Sequence, residues 1–388
     1  MEVTDVAVIG AGPAGSTLAA LLARRGVHVT LIDRDAFPRD KLCGEFLSYD
    51  ALPVVEALGI DLTSAPRIER CRVVSRRRTY EFAFPHPARG VSRLLLDDLL
   101  FRRAIALGAK QRDGVTATEL RDDRVITDQG ELQARVVVGA WGRWGRFDTQ
   151  LARSFVRDRA HRNFGFKRHY VGAGFSRPGR AEAGAQISDS IDLYSFRHGY
   201  LGVNAIEGGM TNICGLVHAS RLTGHKGRWD AFVETIRSEE PKLEELYSSY
   251  QPAQDGFLSS EPVIFRARSA VEGGIFMIGD ASGIIDPLTG NGMAMAIQSA
   301  LVAAPHILSV LGGGERTAIE NAYREEHRAM FGKRIRWSRQ VARLLSRPAL
   351  LDAAIGAVRT PAIGRLLLRR TRADRDAIAG LTGRAFSC

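Results

Sequence analysis

The chain has 388 residues, 45% of them hydrophobic and 25% charged, the balance of a soluble globular enzyme built from two or three packed units. Cys43, Cys71, Cys214 and Cys388 are widely spaced, with no CxxC pair and no Cys/His cluster; this excludes a disulfide scaffold, predicts no metal, and fits a reducing cytoplasm. The net charge of +11 is concentrated: residues 331–375 hold 12 Lys/Arg against 2 Asp/Glu. Those basic residues alternate with Leu, Ala and Ile at helical spacing and match no nucleic-acid motif, so no nucleic acid is expected. The stretch is either a solvated helical surface or a docking face for an acidic carrier protein or an anionic membrane surface.

The opening "MEVTDVAVIG" enters a strand at once, which predicts a chain without a secretory leader, and no apolar run is expected to reach the roughly 18 residues of a membrane span. "DVAVIGAGPAGSTLAALLARRGVHVTLIDRD" reads as strand, tight turn, helix and strand. Gly10 permits the sharp turn, Gly12 lets backbone approach a pyrophosphate, and Gly15 lets the helix pack close on the strand. Pro13 and Ala14 complete the turn, where unpaired N–H groups and the helix dipole face the phosphates. Asp33 follows at the distance expected for an acceptor of ribose hydroxyls, with Arg34 beside it. This pattern predicts a dinucleotide site but does not separate FAD from NAD.

Residues 1–75 make the first piece of that domain, and 90–160 continue it with a helix near 93–108 and a small antiparallel sheet from "GVTATEL", "DRVITD" and "ARVVVGA". Residues 76–89 and 161–265 alternate polar and apolar, a second antiparallel sheet that serves as substrate platform. Residues 266–330 return to the first domain, and 331–388 form a basic helical segment broken at Pro348 and Pro361. Within the return, "DPLTGNGMAMAIQSA" starts a helix with almost no charge. Such a helix start stabilises an anion, Gly290 and Gly292 allow close backbone approach, and Pro287 fixes the turn. Cys43 and Glu45 are candidate catalytic residues, since their loop follows the second strand. No Ser/His/Asp constellation is legible.

Four stretches together resemble the FAD-dependent oxidoreductases of the geranylgeranyl reductase and aromatic-ring (group A) flavin monooxygenase superfamily: "GAGPAG", "FPRDKLCGEFLSYDAL", "GVSRLLLDDLLFRRAIALGA" and "IFMIGDASGIIDPLTGNGMAMAI". The resemblance implies an α/β fold with a discontinuous, doubly wound, Rossmann-like FAD domain. It places Cys43, Gly44 and Arg93 near the flavin, and Val115 at the adenine. It gives Gly279 and Asp280 to the ribityl chain, and the amides of Asn291, Gly292 and Met293 to the pyrimidine edge of the ring. NAD(P)H is the expected reductant, although Trp141 and Gly283 stand where hydroxylases carry an acidic residue and a histidine. No Trp-x-Trp-x-Ile-Pro segment is present, so halogenation is not expected. The implied function is monooxygenation of an apolar or aromatic substrate, acyl and prenyl chains included, through a flavin C4a-hydroperoxide in a dry pocket. The alternatives are hydride transfer to a carbon–carbon double bond and, by likeness to Rab GDP-dissociation inhibitors, non-catalytic carriage of a prenyl or lipid group. The expected location is cytoplasmic, peripheral to a membrane if the tail binds one.

Overall fold

The computed structural model describes residues 2–121, 123–157, 162–172, 188–225, 227–265, 268–357, 360 and 362–386; Pro361 and Cys388 lie outside them. A parallel sheet is nucleated by the apolar run of β1 (Glu2–Ile9), which pairs with β2 (Val29–Asp33) on one side and β9 (Gly130–Gly139) on the other. β6 (Lys110–Asp113) extends it beyond β2, and β17 (Ile275–Met277) with β16 (Val271–Glu272) extends it beyond β9. The hairpin of β7 (Ala117–Arg121) and β8 (Arg124–Thr127) joins β9 antiparallel. Helices α1 (Pro13–Ala23), α3 (Arg93–Ala106) and α7 (Gly292–Leu311) pack against one another on this sheet. Sheet and helices thus enclose the largest core.

The second sheet runs β14 (Tyr250–Pro252), β10 (Asn163–Gly172), β13 (Met210–His218), β12 (Gly199–Ile206), β11 (Ser190–Phe196), β4 (Arg67–Val74), β5 (Thr79–Gly90) and β3 (Phe46–Leu47), with β15 (Leu258–Ser259) on β10. Its pairs are antiparallel apart from β11 with β4. β3 and β4, within the 1–75 stretch expected for the nucleotide domain, pair in this second sheet. The reason is burial: Ile68 and Cys71 of β4 share a core with Phe82, Ile191 and Leu193.

A second correction concerns apolar length. α7 has 20 residues and a mean hydropathy of 1.7, enough by length and composition to cross a membrane. Most of it is buried, as expected of an all-round apolar helix in a large core. After α7 come α8 (Arg316–Leu345), α9 (Pro348–Ala357), α10 (Ala362–Thr371) and α11 (Arg375–Phe386). α8 leads from the first core to the second, where Ala342, Leu345, Leu351 and Leu368 cover one face of the second sheet. α5 (Trp229–Glu239) and α6 (Pro241–Ser248) cover the other. α11 packs beside α7 and the short α2 (Leu52–Ala57).

Candidate FAD site and the cavity beside it

The glycine turn divides its labour as its spacing implies. A Cβ on Gly10, whose φ is +108°, would lie 2.3 Å from the Ala140 carbonyl oxygen, and one on Gly15 would lie 1.9 Å from that of Gly10. These two glycines let protein meet protein. Gly12 is different, because the nearest atom to an added Cβ is Arg93 Nη2 at 3.6 Å. Its surroundings are open toward ligand. α1 starts there with Pro13 and Ala14 in its first turn, without a side-chain cap or an acidic residue, so its N–H groups are left for an anion.

Asp33 is 8% exposed. Its carboxylate accepts from Ala11 N at 2.8 Å, Asp35 N at 3.0 Å and Arg39 Nη2 at 3.0 Å. A carboxylate offers about four acceptor sites, so one remains for a ribose hydroxyl. Arg34 is exposed beside it, and Val115 gives its N–H to the Asp33 carbonyl. Arg39 also binds Asp97 at 2.6 Å, and Asp97 holds Arg93 through two bonds of 2.7 Å. Burial opposes charge on Arg93, but Asp97 outweighs it and keeps the guanidinium above its ordinary pKa. Sequence reading missed Arg39 and Asp97; the one signal was a basic residue following the proline in "FPRDK".

The returning segment closes the site. Gly279, at φ +60°, brings its Cα against Ala14, and its N–H binds Ser299 Oγ at 2.8 Å. Asp280 accepts from Arg143 Nε at 3.2 Å, which gives the "WGRW" stretch a place at the site that its sequence did not reveal. Pro287 is exposed, and Gly290 turns left-handed with its Cα against the Phe46 ring. α7 then begins at Asn291 with no side-chain cap and no acid in its first turn, while Met293 is buried below. An added Cβ on Gly292 or on Gly44 would meet nothing within 4 Å. Among the described residues, the buried Asn291 Oδ1 has no hydrogen-bond partner. Two uncapped helix starts, open glycines and an orphaned acceptor fit FAD. Gly12 and α1 would hold the pyrophosphate, and Gly292 and α7 the ring edge.

Glu45 is engaged within the protein. It is fully buried, with Oε1 bound by Lys167 Nζ at 2.6 Å and Arg93 N at 3.0 Å, and Oε2 by His169 Nε2 at 2.7 Å. Lys167 Nζ also holds Asp40 at 2.7 Å. Burial works against its charge, but the two carboxylates outweigh it and raise the ammonium pKa. Asp40, Glu45 and His169 lie close enough for a metal ion, yet the ammonium already fills the cationic role among them. Cys43 is half-buried; its Sγ accepts from Glu45 N and its carbonyl from Asn212. Neither Cys43 nor Glu45 lines the cavity described next.

That cavity, with about 70 Å³ of internal room, lies between the second sheet and α8 and α10. Phe82, Leu193, Leu345 and Leu368 form its walls, and Leu288, Thr289 and Gly290 its floor, directly before the α7 start. Arg372 closes one end. Two basic residues of the 331–375 stretch therefore turn inward: Arg372, and Arg334, which is buried against Asp50 and Gln298.

The FAD binding domain family matches residues 3–74 and 263–338, the two stretches that this fold brings together. Tryptophan 2-halogenase of Chondromyces crocatus is 28% identical over 374 residues, covering 87% of this chain and 67% of that protein. Menaquinone reductase of Mycobacterium tuberculosis is 27% identical over 328 residues, covering 77% and 75%. The solved myxobacterial chondrochloren halogenase superposes with a TM-score of 0.73 at 21% identity, over 99% of this chain and 97% of that one. A geranylgeranyl bacteriochlorophyll reductase-like protein of Thermoplasma acidophilum gives 0.74 at 17%, over 100% and 97%. With its two-part nucleotide domain, the chain is an FAD-dependent oxidoreductase, similar in fold to halogenases and to a geranylgeranyl reductase-like protein.

Proposed function

We propose that the chain is a reductant-dependent monooxygenase of an apolar or aromatic substrate held in the cavity above residues 288–290. The observation that carries this reading is the cavity lining, whose ionisable groups among the described residues are Cys71 and Arg372. Burial pushes the Cys71 thiol up to about 12, so it is a neutral wall group. Bound FAD would supply the redox chemistry, which requires a dry, oriented substrate. The chain's own part is to exclude water with Phe82, Leu193 and Leu368 and to place anion-stabilising amides at the α7 start. NAD(P)H is proposed as donor, to be checked by bleaching of the flavin under nitrogen.

A reductase of carbon–carbon double bonds is the second reading, favoured by the Cys43–Gly44 segment and the menaquinone reductase relatives. Halogenase relatives add a third outcome that the missing tryptophan motif argues against. One experiment separates them: product formation by the reduced holoprotein, with oxygen uptake recorded and halide either omitted or supplied. Oxygen uptake matching product supports the monooxygenase. Equal turnover without oxygen would transfer the chain to the reductases, and an absolute need for halide to the halogenases. The partner is proposed on the same footing: an anionic surface meeting the exposed Arg365, Arg369 and Arg370 of α10.

A further inference from the structure

The cavity is apolar along its length and cationic at one point. Arg372 Nε donates to Ser48 Oγ at 2.8 Å and Nη2 to the Thr289 carbonyl at 3.0 Å. Its guanidinium stands over the rings of Phe84, Phe46 and Tyr49 at 5.3, 5.8 and 5.9 Å. These contacts fix the plane of the fork without neutralising it. Nη1 has no protein acceptor among the described residues, and no carboxylate there forms an ion pair with Arg372. The nearest acid with influence, Asp50, is already bound by Gln298 Nε2 at 3.0 Å, Ala373 N at 3.0 Å and Arg334 at 3.5 Å. All three contacts fall on Oδ2, and Arg334 rather than Arg372 takes the ion pair. Burial lowers the Arg372 pKa, the direction expected of a cation short of a counter-ion.

From this geometry we infer that Arg372 is the specificity-determining residue of the cavity and that the substrate is an amphipathic acid. Its apolar body lies between the second sheet and α8 and α10, and its carboxylate meets the free edge of the Arg372 fork. A planar guanidinium held by Ser48 and Thr289 is preorganised for two parallel bonds to a carboxylate, and its low-dielectric surroundings strengthen them. Because Arg372 binds the Thr289 carbonyl, two residues before the α7 start, the acid end lies at the flavin end of the cavity. The carbons nearest the carboxylate are therefore the ones presented for reaction. This inference rests on the proposed use of the cavity as substrate site, but not on whether the reaction consumes oxygen.

The test is equilibrium binding to the FAD-loaded protein, with 4-phenylbutyrate, 4-phenylbutanol and 4-phenylbutylamine as probes of equal apolar body. The acid is expected to bind about tenfold or more tighter than the alcohol, the scale of a charge-assisted pair, and the amine weakest. Arg372→Met should abolish the preference for the acid while alcohol binding persists. Arg372→Lys, which keeps the charge and guards against a misfolded first variant, should retain a reduced preference. Arg102→Met, on the exposed face of α3, should behave as the parent protein. Equal affinity for acid and alcohol, or an acid preference that survives Arg372→Met, overturns the inference. Because no turnover is measured, that result leaves the oxygen-uptake test standing, and a failed oxygen-uptake test leaves this one standing.

Discussion

Gly10 and Gly12 are two positions apart and do unlike work, which makes them a controlled pair. Alanine at 10 would require φ +108° and a Cβ 2.3 Å from backbone, so that change should unfold the turn. Alanine at 12 meets only ordinary contact with Arg93 at 3.6 Å, and the backbone there has an unstrained φ of −72°. Gly12→Ala is therefore expected to leave the apoprotein melting within about 2 °C of the parent. FAD affinity should nonetheless fall by about tenfold or more, since the methyl stands where pyrophosphate approaches. An FAD titration that matched the parent would show that the ligand does not use this turn. The motif was legible because everything it needs lies within some two dozen residues of sequence. The Glu45–Lys167 pair was not, because its partners are 122 positions apart and a lone lysine in an alternating strand gives no local sign of burial.

Among the elements, the loop from Asp40 to Glu45 and the helices after α7 show what periodicity can and cannot supply. Helical spacing marked the tail correctly as helical, and its apolar residues do cover the second sheet. Spacing could not say which arginines turn inward, since Arg372 and Arg370 lie two apart with one in the cavity and one outside. What stays outside is telling. Among the described residues, five of the seven exposed large hydrophobic ones, Trp337, Leu344, Leu350, Ile363 and Leu366, lie on α8, α9 and α10. Ile363 and Leu366 share α10 with the exposed Arg365, Arg369 and Arg370. Such a mixed face suits an anionic leaflet, where each arginine contributes on the order of 1 kcal/mol. Sedimentation with phosphatidylserine vesicles should pull down the FAD-loaded protein at low salt and release it as salt rises. The triple change of Arg365, Arg369 and Arg370 to Gln should lose this binding without loss of flavin. Equal sedimentation with neutral phosphatidylcholine would remove the charge argument, and no sedimentation at low salt would leave the face merely solvated.

At the scale of the whole molecule, two buried groups beside the flavin return tie stability to pH with opposite signs. Burial raises Asp286 from 3.8 to about 6, although the Tyr200 hydroxyl, Leu288 N and Arg339 of α8 favour its charged form. Burial also lowers His327, which faces Ser282 Oγ at 2.9 Å, from 6.5 to about 4. Between pH 4 and 6 the folded state holds the extra proton at Asp286, so that group costs stability as pH rises. Between pH 6.5 and 4 the unfolded state holds the extra proton at His327, so that group costs stability as pH falls. The two slopes oppose each other over most of this window and partly cancel. Asp286→Asn keeps an oxygen for Leu288 N and the Tyr200 hydroxyl while removing one slope. With FAD saturating, the variant should exceed the parent at pH 7 by up to about 3 kcal/mol, the two-unit shift converted, and the gain should vanish toward pH 4. The variant's own stability should then fall more steeply than the parent's as pH drops from 6.5 to 4, with His327 unopposed. Denaturant melts across this range decide it: a difference between the two proteins that does not change with pH would mean that Asp286 does not titrate there.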